Sequence, residues 1–156
     1  MKKCFYFVRH GESESNVSRI LIGSESPLTE KGERQSQFLA NRFQTIPVDI
    51  IVASPFVRTK QTAEIFNKTL RKPIMFSGLL EELRYPQEMY GLHESEPERN
   101  RISNEVLAHL HAKNWHYSDE ENFKDIKERG EKALAYLLSL PHERIAVITH
   151  GKFLRA

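Results

Sequence analysis

The sequence contains a single cysteine, Cys4, among its 156 residues. One thiol can form neither an intramolecular disulfide nor a thiolate metal cluster, so a reducing compartment is expected and we predict a cytoplasmic location. Long apolar runs are also missing. No stretch approaches the roughly 18 consecutive apolar residues that a transmembrane helix needs, which argues against a membrane protein.

A large excess of positive or negative charge is missing as well. The 23 lysines and arginines nearly balance 21 acidic residues, so the formal net charge is only +2. Such a balance provides no long-range field for nucleic acid or an anionic membrane, and we predict neither as a partner. Repeats and low-complexity segments are absent too, so residues 1–156 are predicted to form a single domain.

What the sequence does contain is a set of short, continuous apolar runs. They cover residues 4–8, 50–53 and 145–148, with a weaker run at residues 74–76. Continuous rather than alternating apolar residues are typical of strands that are covered on both faces, as in parallel sheets. We therefore predict strands at these four places, and we expect the first of them to be buried.

Helical patterns lie between these runs. Apolar positions with a helical period extend from residue 28 to 43, entered through Thr29, and from residue 123 to Pro141. Another helix is predicted to begin with Ser54 as its N-cap and Pro55 at the first helical position. Strands that alternate with helices predict an α/β fold, a three-layer sandwich with a mostly parallel central sheet and helices on both faces.

The segment from about residue 84 to residue 120 differs from the rest. It is charged and rich in histidine, and it carries one modest apolar stripe at Ile102, Val106 and Leu110. Its place between a strand and the next helix predicts a small helical lid insertion, with a solvated helical decoration as the equal alternative. Its charged residues are interpreted as the solvated start of a helix, and they are Glu94, Glu96, Glu98, Arg99 and Arg101.

Residues with side chains suited to binding or catalysis lie where the predicted strands end. Arg9 and His10 follow the first strand, Arg58 follows the second, and His150 follows the last. Ligands of open parallel sheets bind outside the carboxyl ends of the strands, so these side chains are expected at one edge. Fixed arginines and a neutral imidazole suit a phosphoryl group, whose transfer spreads negative charge over three oxygens. The glycine after each histidine would let the backbone approach those oxygens.

These residues belong to five longer motifs. They are Arg9-His10-Gly11-Glu12-Ser13 with Asn16, Pro27-Leu28-Thr29-Glu30-Lys31-Gly32, Ser54-Pro55 with Arg58-Thr59 and Gln61-Thr62-Ala63, Leu80-Glu81-Glu82-Leu83, and Thr149-His150-Gly151 with Phe153-Leu154-Arg155. In order and spacing, through most of the chain, the set resembles the histidine phosphatase superfamily, also called the phosphoglycerate mutase-like family.

The resemblance implies a role for each matching residue. His10 would be the phosphate-accepting nucleophile, and Glu82 the general acid and base, with Glu81 as the alternative one residue away. The residues that would bind the phosphoryl group are Arg9, His10, Asn16, Arg58, His150 and Gly151. Among them, Arg9, Arg58 and His150 would also be catalytic, because they stabilise the group during transfer. The implied activity is hydrolysis of a small phosphorylated substrate through a phosphohistidine, without metal or cofactor.

The end of the sequence departs from the family. Members of the family continue past the second histidine motif with a helix and a further strand, whereas this sequence stops at Ala156. We therefore expect that C-terminal helix and strand to be missing or trimmed, with lowered stability or self-association as the consequence. A homodimer is left open as a partner.

Alternative functions remain beside the phosphatase. Mutases of the family have a longer insertion and typically a tryptophan soon after the first motif, where this sequence reads Ser15-Asn16-Val17-Ser18 and the only tryptophan is Trp115. Hydrolysis is therefore favoured over a phosphoglycerate mutase-type phosphotransfer. A non-catalytic module that binds phosphorylated ligands is disfavoured, because a binder would not need the acid at Glu82.

A metal site formed by histidines is the remaining alternative. The candidates are His93, His109, His111 and His116. His109 and His111 are two residues apart, so on a helix they would point in nearly opposite directions, unlike the i, i+4 pair that binds zinc. We predict no metal.

Overall fold

The computed structural model describes residues 2–112 and 114–155. Its strands are β1 (Cys4–Arg9), β2 (Ile50–Ala53), β3 (Ile74–Phe76) and β4 (Arg144–Thr149). Its α-helices are α1 (Glu14–Ser18), α2 (Glu30–Arg42), α3 (Val57–Leu70), α4 (Pro97–Ala108) and α5 (Phe123–Ser139). Short 3₁₀ helices cover Phe43–Thr45, Gly78–Leu80, Gln87–Met89 and Phe153–Arg155.

The strands form one parallel sheet in the order β1-β4-β2-β3. The two central strands are buried almost throughout, as their continuous apolar sequences predict. The expectation of burial is wrong for β1, in which Val8 is buried while Phe7 is 50% exposed. The reason is position, because β1 is an edge strand that pairs with β4 alone in the described part of the chain.

Helices cover both faces of the sheet, which confirms the predicted three-layer α/β fold. Because successive side chains of a strand point to opposite faces, β4 supplies both cores. Its Ala146 and Ile148 pack with α2 and α3 around Phe66, while its Ile145 and Val147 pack against α5. Each fully buried valine, isoleucine or phenylalanine among them stabilises the fold by about 1.5–3 kcal/mol.

Two of the predicted helix starts are confirmed and one is wrong. Thr29 caps α2, its hydroxyl accepting the N–H of Gly32, and α5 begins at residue 123 as predicted. The helix expected to start at Ser54 begins at Val57 instead. Ser54 takes a different role, since its hydroxyl lies 2.9 Å from Nε2 of His150 and its carbonyl accepts the Thr59 hydroxyl.

The lid segment, residues 84–120, leaves the sheet after β3 and returns at α5. Its one described α-helix is α4, which buries Ile102 completely, whereas Leu110 lies beyond the helix and is 37% exposed. An isolated bridge between Ile20 and His93 ties the segment to the loop after α1. That attachment holds the lid segment above the carboxyl ends of the strands.

The expectation about a further C-terminal helix and strand concerns Ala156 and beyond, which lie outside the described residues. Among the helices that are described, none is both long enough and apolar enough to cross a membrane.

Candidate active site

A cavity of about 320 Å³ opens where β1 and β4 end, between the N-terminal end of α3 and the lid segment. Its walls include most of the residues predicted for the site, which are Arg9, His10, Asn16, Arg58, Glu82 and Gly151. These side chains come from segments separated by up to about 140 positions in the sequence. The parallel topology collects them, because each of these strands ends at the same edge of the sheet.

His10 is held in one tautomer by its own loop. Its Nδ1 lies 2.6 Å from the carbonyl oxygen of Gly11, and since a carbonyl can only accept, Nδ1 carries the proton. Nε2 is then unprotonated, and it accepts a hydrogen bond from Nε of Arg58 at 3.3 Å. Burial lowers the pKa of His10 to about 4, the Gly11 bond opposes that shift, and Arg58 and Arg9 add to it. His10 is therefore neutral at pH 7, with its nucleophilic lone pair turned towards the cavity.

The loop that carries His10 is fixed by a close backbone approach. A Cβ on Gly11 would overlap the carbonyl oxygen of Gly32, and a Cβ on Gly32 would overlap that of Glu12. Thr62 of α3 adds a second attachment, because its hydroxyl accepts the Gly11 N–H at 3.2 Å and donates to the Arg58 carbonyl at 2.8 Å. The start of α2 and the first turns of α3 thus hold the loop from two sides.

The two inner arginines are positioned by different means. Arg58 is only 5% exposed, and its Nη1 donates to the Gly23 carbonyl at 2.8 Å while the guanidinium lies 4.9 Å above the Phe56 ring. Arg9 lies across Gly151, where a Cβ would come within 3.1 Å of its Nε. Gly151 therefore makes room for Arg9, and both guanidinium groups reach the cavity beside His10.

His150 lies behind His10 and has no exposed surface. The two imidazole centroids are 5.1 Å apart, and the Phe56 ring lies 5.0 Å from His150 on another side. Burial, followed by the charge of Arg58, lowers the pKa of His150 to about 2, so this ring is also neutral. Its Nε2 meets Ser54, whereas its buried Nδ1 has no partner among the described atoms. His150 does not line the cavity, so its phosphate contact stays a prediction.

The side chain of Glu82 lines the cavity, whereas that of Glu81 does not. Glu82 accepts the N–H groups of Leu83 at 3.0 Å, of Phe153 at 2.9 Å and of Lys152 at 3.3 Å. These bonds connect the acidic motif to the segment that follows the second histidine motif. Of the two carboxylates that the sequence left open, Glu82 is the one that lines the same cavity as His10.

Arg129 of α5 supports the backbone that carries Glu82. Its guanidinium donates to the carbonyl oxygens of Leu79, Glu81 and Glu82 at 2.8–3.3 Å. Arg129 also forms an ion pair with Glu121 at 2.6 Å, in which the Glu121 side chain is only 6% exposed. Such a buried pair fixes geometry rather than adding much stability.

Sequence analysis missed the outer part of the cavity. The residues found there are Arg19, Tyr85, Tyr90, Arg99, Lys152 and Arg155. The interpretation of Arg99 as a solvated residue is wrong, since its Nη1 donates to the carbonyls of Arg19 and Leu92 and the side chain lines the cavity. Arg101, two positions away, is solvated and pairs with Glu98 and Glu105 on the outside of α4. No sequence signal separates the two arginines, because only the packing of α4 decides which one turns inwards.

The histidines of the lid segment are dispersed. Nδ1 of His93 lies 2.7 Å from the Ser95 hydroxyl, His109 stacks on Trp115, and His116 lies 2.6 Å from a carboxylate oxygen of Asp125. Over residues 2–112 and 114–155, no three histidine, cysteine or acidic side chains converge in a way that could hold a metal ion.

Known proteins resemble this chain in sequence. The family model of the histidine phosphatase superfamily (branch 1) matches residues 5–156. The protein named "Probable phosphoglycerate mutase GpmB" from Salmonella arizonae is 33% identical over 153 residues, a match that covers 94% of this chain and 68% of that protein.

Two solved structures share the fold. YhfR from Bacillus stearothermophilus has a TM-score of 0.83 and 28% identity, covering 96% of this chain and 75% of that one. The alpha-ribazole phosphatase from Shigella flexneri has a TM-score of 0.80 and 22% identity, covering 96% of this chain and 75% of that one. With a family model that matches nearly the whole sequence, the chain belongs to the histidine phosphatase superfamily.

Proposed function

We propose that this chain hydrolyses phosphomonoesters through a phosphohistidine formed on His10. One observation carries the proposal. The Nδ1 proton of His10 is committed to the Gly11 carbonyl, which leaves Nε2 as a nucleophile facing a cavity that also holds Arg9, Arg58 and Glu82. A neutral imidazole, two fixed guanidinium groups and one carboxylate supply what phosphoryl transfer requires, namely a nucleophile, charge stabilisation and a proton donor.

The first step transfers the phosphoryl group to His10. Arg58 moves its Nε from Nε2 of His10, now 3.3 Å away, to an oxygen of the entering phosphate. The lone pair of Nε2 then forms the N–P bond as the ester P–O bond breaks. Glu82, in its protonated form, gives its proton to the leaving oxygen, so the alcohol departs neutral. Arg9 and Arg58 balance the charge on the phosphoryl oxygens throughout.

The second step returns the enzyme to its starting state. A water attacks phosphorus from the side that the alcohol has left, and the Glu82 carboxylate takes its proton. The N–P bond breaks, the electron pair returns to Nε2, and inorganic phosphate is released. Both steps balance in charge and protons with the side chains of this cavity, so we propose catalysis that is independent of a metal ion.

The cavity volume fits a small phosphorylated substrate. Because the curated relatives carry the name of a phosphoglycerate mutase, transfer of the phosphoryl group back to a second hydroxyl is the alternative reaction. The two reactions share the first step and differ only in the acceptor. A cytoplasmic location follows from the single thiol and belongs to the same proposal.

The test is turnover of p-nitrophenyl phosphate in excess chelator, with acid-labile phosphate on the protein trapped in parallel. We expect turnover and labelling in the unaltered chain and neither in His10→Ala, while His111→Ala, an exposed residue outside the cavity, retains both. Full activity in His10→Ala would refute the covalent mechanism. Activity that chelation abolishes and one metal ion restores would refute metal independence.

Phosphatase and mutase are separated by the product. With 3-phosphoglycerate as a probe, we expect inorganic phosphate to be released in proportion to the substrate consumed. Formation of the 2-phospho isomer without release of phosphate would instead establish the mutase reaction.

A further inference from the structure

The segment that carries Glu82 has no regular secondary structure of its own. It follows the short 3₁₀ helix Gly78–Leu80, and residues 81–86 form neither helix nor strand. Such a backbone needs other partners for its carbonyl groups, because an unpaired buried carbonyl is costly. The position of the Glu82 carboxylate therefore depends on side chains that come from elsewhere in the fold.

Arg129 supplies most of those partners. Its guanidinium donates to the carbonyl oxygens of Leu79 at 3.1 Å, of Glu81 at 2.8 Å and of Glu82 at 3.3 Å. The guanidinium also lies 4.7 Å above the Phe153 ring, and the Phe153 N–H itself donates to the Glu82 carboxylate. Arg129 does not line the active-site cavity, so it would touch no substrate there. It contacts both the segment that carries the carboxylate and a residue that holds it.

Glu121 fixes the direction of Arg129. One carboxylate oxygen accepts Nε at 2.6 Å and the other accepts Nη2 at 2.7 Å, which is the two-point pairing that guanidinium and carboxylate groups form. Both side chains are largely buried, with 16% of Arg129 and 6% of Glu121 exposed. Because the guanidinium is planar, this pairing turns Nη1 and the second N–H of Nη2 towards the carbonyl groups.

The same carboxylate joins the two ends of the lid segment. Glu121 accepts the Arg84 N–H at 3.1 Å, and its own N–H donates to the Arg84 carbonyl at 3.1 Å. Arg84 begins the lid segment, and Glu121 follows its last residue. The backbone is therefore held two positions after Glu82 by Glu121, and at Glu82 and before it by Arg129.

We propose that Arg129 and Glu121 are positioning residues for proton transfer by Glu82. They hold the backbone of residues 79–84 so that the Glu82 carboxyl faces the oxygen of the departing alcohol, and neither of them binds the phosphoryl group. The inference rests on the proposed function, because it takes Glu82 as the general acid. A displacement of about 1 Å is enough to weaken a positioned catalytic group. The loss of either residue is therefore expected to appear in the proton-transfer step, beyond any loss of stability.

The experiment uses the dependence of the rate on the leaving group. p-Nitrophenolate departs readily without a proton, whereas the alcohol of 3-hydroxypropyl phosphate needs one from the general acid. Both compounds transfer the same phosphoryl group to His10, and kcat/KM reports the reaction up to the phosphohistidine. The leaving-group ratio, defined as kcat/KM for the aryl ester divided by that for the alkyl ester, therefore rises when the acid works less well.

Two conservative variants change the pair. Arg129→Lys keeps the positive charge but loses the fork that reaches three carbonyl groups. We expect its kcat/KM to fall about 10- to 100-fold for 3-hydroxypropyl phosphate and no more than about threefold for p-nitrophenyl phosphate, because part of the general acid catalysis is lost. Glu121→Gln keeps the shape of the carboxylate without its charge and should raise the leaving-group ratio by a smaller factor. Arg101→Lys, in an exposed arginine paired on the outside of α4, is the matched control and should leave the ratio unchanged.

Combination with Glu82→Gln separates positioning from a structural role. Glu82→Gln removes the acid and should raise the leaving-group ratio by about 100-fold or more. A residue that acts through Glu82 then has nothing left to position, so adding Arg129→Lys should not raise the ratio further, whereas independent effects would multiply. If Arg129→Lys does not fold, Glu121→Gln takes its place in the same cycle. An unchanged ratio in the single variants, an equal loss for both substrates, or a further rise in the double variant would overturn the proposal.

The Glu82→Gln variant also keeps this outcome separate from the proposed function. An unaltered leaving-group ratio in Glu82→Gln would refute Glu82 as the acid, and the positioning role with it. A raised ratio in Glu82→Gln without one in the Arg129 and Glu121 variants would refute the positioning role alone. Absence of turnover in the unaltered chain would refute the phosphatase and every role that depends on it.

Discussion

The inner and outer ends of the cavity hold their charges in different ways. At the inner end, His10 and Arg58 are almost completely buried; His10 is fixed to the Gly11 carbonyl of its own loop, and Arg58 to the carbonyl of Gly23. At the outer end, Lys152 and Arg155 are exposed, and Arg99 comes from the lid segment. A transferring phosphoryl group tolerates little displacement of its ligands, whereas a leaving group can be recognised by charge alone. Under the proposed function, the contrast separates the part of the cavity that holds the phosphoryl group from the part that contacts the rest of the substrate.

The same contrast extends to the supporting structure. The inner end depends on the close approach of Gly11 to Gly32 of α2 and on the bond from Gly11 to Thr62 of α3, and both helices belong to a layer that packs on the sheet. The outer end rests on the lid segment and on the short 3₁₀ helix Phe153–Arg155. Exposed connecting segments change more freely than a packed layer, so the outer end is the part that can vary without loss of the fold.

The largest effect is expected from a substitution that displaces the backbone at the inner end of the cavity. In Gly32→Ala the new Cβ overlaps the Glu12 carbonyl, so the loop of His10 must shift. We expect turnover of p-nitrophenyl phosphate to fall at least 100-fold, because a displacement of about 1 Å costs that much in a positioned site. Gly130→Ala, in α5 with open space around its Cβ, should keep activity and gain about 0.5–1 kcal/mol of unfolding free energy. Unaltered turnover in Gly32→Ala would contradict the assigned packing.

A matched pair of arginine substitutions tests the two ends directly. Arg58→Lys keeps the charge but loses the fork that spans the Gly23 carbonyl and the phosphoryl site, so we expect kcat to fall about 100-fold. Arg155→Lys keeps the positive charge at the outer end, where the side chain is exposed. We expect kcat/KM for an anionic substrate to fall only a few-fold. Equal losses at the two positions would remove the distinction between geometry and charge.

Acid should affect the inner end through its two histidines. Because the folded pKa values of His10 and His150 are lowered to about 4 and about 2, the unfolded chain binds more protons below pH 6.5. Stability present at neutral pH is thus lost as the pH falls, by about 2 kcal/mol per histidine between pH 7 and pH 5. Urea unfolding at the two pH values measures it. His150→Gln should show about half the loss of the unaltered chain, with His111→Gln as the exposed control; identical losses would rule out buried neutral imidazoles.

The same titration limits activity. Protonation of His10 removes the nucleophilic lone pair, so kcat/KM should stay constant on its account down to about pH 5 and fall as the pH approaches 4. A pH-rate profile with its acidic limb above pH 6 would show that another group controls the reaction.

The smallest effect is expected when the hydrogen bond between Ser54 and His150 is removed. Ser54→Ala leaves Nε2 of a fully buried imidazole without its hydroxyl partner, and we expect a loss of about 1–3 kcal/mol in unfolding free energy. Ser139→Ala, on the exposed side of α5, removes only a bond to the Tyr136 carbonyl and should cost less than about 0.5 kcal/mol. Chemical denaturation of both variants decides whether Ser54 positions the second histidine.

Much of the fold was predictable from local pattern. The strands at residues 50–53 and 74–76 have the predicted bounds, and α2 and α5 begin where Thr29 and Asn122 cap them. Capping and hydrophobic period act within a few residues, so they are present in the sequence itself. The start of α3 was not predictable, because the Ser54 hydroxyl does not cap the helix. It forms a hydrogen bond with His150, which is 96 positions away in the sequence.

The sequence by itself determined a parallel α/β fold and the identities of the groups at its strand ends, since apolar runs, helix periods and linear motifs are local properties. It favoured Glu82 as the acid but left Glu81 open as the alternative, and it gave Arg99 the pattern of a solvated arginine of a helix. Only the tertiary structure placed Glu82 in the wall of the cavity that His10 lines, buried His150 beside His10, and brought Arg99 near Lys152 and Arg155. The direction of a side chain, its burial and its distant neighbours depend on how whole elements pack, which no short stretch of sequence encodes.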